Sequence, residues 1–346
     1  MRPLTLQRLV LQCGLLALIL FVVIVIALKL GAVPVSLYGL ARDLVQALLG
    51  QTSGISSDYG LIIIDIRLPR ILLGVLAGAS LALAGTSFQA LLRNPLADPY
   101  ILGVSYGAAV GAMLASILEP HLSIPASVAA LLTPLGAFLG AACTITVVYL
   151  LGRREGQIDS ATLILGGVIT GSFLSAVIMF LITTVTGRDM HGIAFWLMGD
   201  LSTPLQPSLR WFLGVGFLIA AVTIYTTASD LNLLLSGEKE AMHLGVDVDR
   251  VRIVVYVAAS LLTALAVSVS GAIGYVGILV PHVMRLIYGS DHRVLLPTAA
   301  FGGAIAIVIA DTLARTVVAP TELPVGAVTA IAGAPLFIYL LRRRAV

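Results

Sequence analysis

The chain runs unbroken and apolar, again and again, for the length of a bilayer crossing. A hydrocarbon core about 30 Å thick takes ~20 helical residues per passage. Stretches of that kind occupy residues 9–30, 68–92, 100–118, 126–151, 161–185, 208–228, 251–269, 273–288, 294–318 and 324–341. Lipid offers no hydrogen bonds, so each stretch must satisfy its own amides and is predicted to be helical. A transmembrane barrel would instead alternate apolar and polar residues over ~10-residue strands, and these runs do not alternate. Composition removes the soluble reading: 59% of the residues are hydrophobic and 11% charged, against roughly 45–50% and ~25% in globular proteins. Disorder and a disulfide scaffold fall with it, since Cys13 and Cys143 each sit inside an apolar run. A dispersed net charge of +3 does not point to nucleic acid.

The expected architecture is a single all-α polytopic membrane domain over residues 1–346, with about ten transmembrane helices. Arg2 and Arg8 precede the first run, but no small-residue cleavage site follows it, so it is read as a retained helix. An even number of crossings puts both termini on one side. Placing them in the cytoplasm leaves 13 of the 20 basic residues inside, as the positive-inside rule requires. The outer loop 31–66 then contains an amphipathic stretch, Val35 to Leu49, expected to lie on the surface. The inner loop 229–250 concentrates charge around an apolar stripe and is expected to form two short helices broken at Ser236–Gly237. Such a loop suits docking to a soluble protein; a solvated connector is the alternative.

Several helices carry small residues at spacing four: Gly74, Gly78 and Ala82; Gly103, Gly107 and Gly111; Gly136 and Gly140; Gly167, Gly171 and Ser175; Gly302, Ala306 and Ala310. Small residues on one face let helices approach closely in lipid, where no hydrophobic effect joins them. Packing explains most of these; a sliding pore wall would use the same surfaces. The helix ending at Leu83–Thr86 resembles the one ending at Val267–Gly271, five crossings later, a hint of the inverted repeat found in transporters. Proline-punctuated segments at 93–99 and 271–282 break helix regularity where a gate or pivot could sit.

Catalytic signatures do not assemble. Gly103-Val104-Ser105-Tyr106-Gly107 matches a hydrolase nucleophile elbow, but that motif needs a strand-to-helix turn and a partner histidine and acid. His282 beside Pro281 could be a ligand or simply bond a carbonyl. No phosphate-binding loop is present, so energy from ATP has to come from another chain. Self-powered secondary transport would call for mid-membrane carboxylates, and Asp311 is the sole candidate. Arg67 and Arg70 flank Leu68–Pro69 at the outer start of the second run, and Arg315 lies one turn after Asp311 near the outer end of the ninth. All three could receive carboxylates from an external partner, or they could snorkel or, for Arg315, pair with Asp311.

The motifs R-L-P-R at 67–70, the run Ala84-Gly85 through Gln89-Ala90-Leu91, N-P-L-A-D-P at 94–99, L-G-V-S at 102–105, G-A-I-G-Y-V-G-I-L-V-P-H at 271–282, D-H-R-V-L-L-P at 291–297, E-L-P-V-G at 322–326 and G-A-P at 333–335 resemble, in order, the FecCD-type permeases of ABC importers. That family takes up iron–siderophores, haem and cobalamin. The resemblance implies an inverted-repeat permease subunit of the bacterial inner membrane, paired as a homodimer or with a close relative. It has no catalytic or metal site and no cofactor of its own; ATP and Mg²⁺ belong to two partner ATPase subunits. A periplasmic or lipid-anchored substrate-binding protein would dock on Arg67, Arg70 and Arg315. Glu238, Glu240, Ala241, Met242, Leu244 and Gly245 match the segment that couples to the ATPase. Asn94 and Leu96, with Ser160 and Ala161, match the inner gate, although Ala161 lacks the hydroxyl found in a cobalamin-transporting relative. The substrate expectation is an iron–siderophore, with cobalamin or haem as alternatives.

Overall fold

The computed structural model describes residues 6–31, 62–154, 157–184, 189–203 and 205–344. The expected surface helix Val35–Leu49 and the residues Arg2, Arg42 and Arg188 lie outside the described residues. The described chain is helical except for turns and a two-residue antiparallel ladder pairing 153–154 with 157–158.

All ten apolar runs fall on helices. Seven are long and apolar enough to cross a bilayer unaided: α1 (Leu6–Lys29), α2 (Leu68–Leu91, entered through a π-helical turn at Ile62–Arg67), α4 (Ala126–Gly152), α5 (Ser160–Thr184), α7 (Pro207–Thr226), α10 (Val248–Ser270) and α12 (His292–Thr316). Between them lie α3 (Val104–Leu118), α6 (Asp189–Leu197), α8 (Ala228–Leu234), α9 (Glu238–His243) and α11 (Val276–Tyr288), and α13 (Val325–Arg344) closes the chain.

Two of the runs are only partly regular. The 273–288 run yields the 13-residue α11, about 20 Å long at 1.5 Å per residue. The 100–118 run opens with a 3₁₀ turn at Pro99–Leu102, and α3 supplies 15 residues. Non-helical backbone at membrane depth is tolerated only where protein or a wet cavity satisfies it. Here one bond joins the two irregular stretches: the Ile273 amide donates to Tyr100 Oη at 3.0 Å. Gly271 and Tyr275, with φ of 64° and 70°, turn the chain at this break.

α2 is the axis of the fold. Every residue from Ala77 to Leu91 is buried, and α10, α11 and α12 pack around it. The contact is close because glycine faces glycine. A Cβ on Gly78 would fall on the Gly303 carbonyl, and one on Gly85 on the Gly277 carbonyl. α3 and α4 lock in the same way, Gly107 and Gly111 against Gly140 and Gly136. α1 is the opposite case: apart from Leu16, Ala27 and Leu28 it presents its apolar side chains outward, as a lipid-facing helix does.

Candidate functional site

Between the irregular segment 98–106 and α5 lies an open cavity of about 620 Å³. Asp98, Tyr100, Ser105 and Tyr106 form one wall; Gly167, Gly171, Ser172 and Ser175 form the other, with Ile278 of α11 beside them. Small residues and hydroxyls make a smooth wall with little chemical identity. The Gly167–Ser175 face lines this cavity together with Gly103, whereas Gly78, Gly107, Gly111, Gly136 and Gly140 serve close helix contact. Ser105 stands in the first turn of α3 and, among the described residues, no strand precedes it and no histidine lines the cavity, so the described residues do not form the hydrolase geometry.

One end of α2 holds the three arginines. They do come together, but buried and already bonded. Arg67 is 5% exposed and donates through Nη1 to the Leu28 carbonyl at 2.7 Å. Arg315, 6% exposed, reaches the Ala27 carbonyl at 3.4 Å. Both cations thus sit at the C-terminal end of α1, where the last carbonyls lack helical donors and the dipole is negative. Arg70 Nε bonds Asp311 Oδ1 at 2.8 Å, and its Nη1 bonds Glu322 Oε2 at 2.7 Å. Arg315 Nε lies 3.0 Å from Asp311 Oδ2. Asp311 is therefore a buried anion clamped between two cations. It is part of a structural ion network, not a lone mid-membrane proton site. Glu322 is the exposed member, with 43% of its side chain accessible.

The other end presents the 229–250 loop. Two short helices, α8 and α9, are separated at Ser236–Gly237 as expected, with Gly237 at φ 134°. The six candidate coupling residues divide by role. Ala241 is fully buried and anchors α9, and Glu238 braces it by pairing with Arg252 at 2.5 Å and Arg93 at 3.2 Å. Glu240, Met242, Leu244 and Gly245 face outward. Met242 and Leu244 are 55% and 65% exposed, two apolar side chains on a charged loop. Asn232 of α8 ties the loop to α12 by donating to Asp291 Oδ1 at 2.8 Å and accepting from the His292 amide at 2.8 Å.

None of the four gate candidates is among the residues lining the cavity, although each pair precedes a lining segment in the chain. Asn94 accepts from the Leu96 amide at 2.9 Å in a tight turn that leaves Leu96 exposed. Ser160 and Ala161 open α5, whose first turn Asp159 caps through the Thr162 amide at 2.7 Å. From both pairs the chain leads directly into a cavity wall. Gln89, which the sequence places in the 84–91 run without a role, accepts from Arg285 Nη2 at 2.8 Å and donates to the Gly277 carbonyl at 3.3 Å across the α2–α11 contact. Its signal was available: it is a lone amide within an apolar run.

The model of the FecCD transport family matches residues 19–343. This chain belongs to the FecCD transport family. It is 43% identical over 299 residues to the ABC transporter permease YvrB of Bacillus subtilis, an alignment covering 85% of this chain and 83% of that one. It is 44% identical to the cobalamin import permease BtuC of Halobacterium salinarum, covering 85% and 76%, and 39% identical to the hemin transport permease HmuU of Yersinia pestis, covering 81% and 83%. Among solved structures, an inward-facing metal-chelate type ABC transporter superposes with a TM-score of 0.78 at 31% identity, covering 96% of this chain and 98% of that one. The chain is thus an all-α, multi-pass ABC permease subunit, a class that works with an ATPase and a substrate-binding protein.

Proposed function

We propose that the chain forms half of the translocation path of an ATP-driven importer for a bulky metal chelate, the other half being a second copy. The observation that supports this most is the cavity where the two helix breaks meet. It is open, with small residues and two serines on one wall and Tyr100, Ser105 and Tyr106 on the other. A wide, featureless half-chamber suits a large ligand moved as a unit. The related BtuC and HmuU supply cobalamin and hemin as substrates to test, and an iron–siderophore is the third. In this reading the Met242–Leu244 loop and both termini face the cytoplasm of the inner membrane, and the arginine end faces the binding protein.

Mechanism follows from linkage. A loaded binding protein shifts the permease only if it binds one arrangement better than the other, and nucleotide acts through the coupling loop by the same rule. The test is ATP hydrolysis by the permease reconstituted with its ATPase and binding protein, stimulated by cobalamin, hemin or a ferric siderophore. Stimulation by one chelate identifies the substrate. Stimulation by none, in an assembled complex, refutes the class.

A further inference from the structure

At the arginine end, α2 and α7 diverge and leave a groove of about 540 Å³ that no part of the transport mechanism uses. Its walls are apolar, with Leu72, Leu76 and Ala79 on α2 facing Leu213, Gly214 and Phe217 on α7. Among the described residues, Arg210 is the single charged one lining it. The groove runs from Pro69 to Ala79 on one helix and from Pro207 to Phe217 on the other. Ten residues of helix rise about 15 Å, half of a ~30 Å hydrocarbon core. Its depth matches one leaflet, which in the orientation proposed above sets its mouth at the level of the headgroups.

The mouth carries the chemistry. Arg210 is exposed and has no acidic partner among the described residues, whereas Arg70 nearby is saturated by Asp311 and Glu322. A guanidinium at that depth extends toward an anion at the interface. Trp211 follows it, 77% exposed, an aromatic of the kind that settles among headgroups.

We propose that this groove is a binding site for an anionic phospholipid, with one acyl chain between α2 and α7 and its phosphate on Arg210. Neighbouring lipid tails are as apolar as the groove, so the acyl chain alone gives no preference. Selectivity resides in the headgroup charge.

Trp211 reports occupancy. The chain has two tryptophans, so Trp196→Phe leaves Trp211 alone. This permease is reconstituted in phosphatidylcholine containing a minor fraction of brominated phosphatidylglycerol or brominated phosphatidylcholine, and quenching of Trp211 is compared. Phosphatidylglycerol is expected to bind about fivefold more tightly, the effect of one basic residue near an anionic surface, and Arg210→Gln brings the two lipids level. Gly214→Leu fills the groove, since a Cβ there meets nothing within 4 Å, and is expected to reduce quenching by both. Equal quenching by the two lipids with Arg210 in place overturns the proposal. So does shielding of Trp211 from both, which would put a second copy or the 32–61 segment in the groove. Native mass spectrometry of the unsubstituted permease gives an independent reading: phosphatidylglycerol retained over phosphatidylcholine supports the site, and retention without headgroup preference overturns it.

Discussion

The two ends of α2 are both charged, yet they are built on opposite principles. At the arginine end the ions are buried and face inward on one another: Asp311 is clamped by Arg70 and Arg315, and Arg67 serves the end of α1. At the loop end the ions brace a segment from behind, Glu238 on Arg252 and Arg93, so that Met242 and Leu244 stand out. The first end holds helices together and offers a partner mostly compensated charge. The second offers uncovered apolar surface. A partner at the first end has to compete with in-chain carboxylates, whereas one at the second only has to displace water.

Breaking the buried clamp has the largest expected effect. Asp311→Asn leaves Arg70 and Arg315 facing each other with one anion fewer, and removing a partner from a buried ion pair costs about 3–5 kcal/mol. The melting temperature of the purified permease is expected to fall sharply; an unchanged melt would show that the clamp is not what secures α12 to α2. Next comes the loop tip. Met242→Asp with Leu244→Asp is expected to weaken ATPase binding by roughly 30-fold, the scale of a 2 kcal/mol hot spot, with the melt unmoved. Co-purification with the ATPase at the level of the parent chain would remove the tip from the interface.

The asymmetry between the ends also explains what could be read before the structure was known. Apolar runs, the Ser236–Gly237 break and the packing glycines are local properties, and each reappears where the sequence places it. The partners of the arginines are not local: Arg70 and Asp311 are 241 residues apart, and only the fold shows that Arg70, one of the outward docking candidates, is already engaged. Depth is hidden for another reason. The proline-punctuated segments announce breaks at 93–99 and 271–282, but hydropathy continues through 271–275 and 99–102, and where the helices resume is a matter of geometry, of positive φ at Gly271 and Tyr275 and of the Tyr100–Ile273 bond. Asp98 and Tyr106 fall within the 94–99 and 103–107 motifs and Tyr100 between them, but none of the three could be recognised as a wall until α5 stood opposite it.

Glu322 sharpens the comparison more gently. Its carboxylate occupies Arg70 Nη1 from the solvent side, the position that a docking protein's carboxylate would need. Glu322→Gln removes this internal competitor and leaves the buried Asp311 clamp in place. Because exposed ion pairs contribute about 0–1 kcal/mol, the melt is expected to stay within a degree or two. Affinity for an acidic binding-protein surface is expected to rise a few-fold, more at low salt. A loss of affinity would mean that Glu322 itself makes the contact.

The smallest effect belongs to the loop end and depends on pH. Asp291 accepts from the side chain and amide of Arg293 and from Asn232, and these bonds, Arg293 first, hold its carboxyl down at about 2. A carboxyl depressed in the folded state stabilises it above the unfolded value near 3.8, and that contribution is lost as pH falls from there through about 2. Neutral and alkaline stability should therefore be flat for this group. Because the pair is partly solvent-exposed, the whole contribution is held to about 1 kcal/mol at most. Asp291→Asn is expected to lower stability slightly at pH 7 and to converge with the parent near pH 2. Asn232 joins this carboxylate to α8, so the same substitution should speed amide exchange in 228–245 while leaving α2 and α12 near Asp311 unaffected. Exchange that rose equally at both ends would mean the two charge networks are not separate devices.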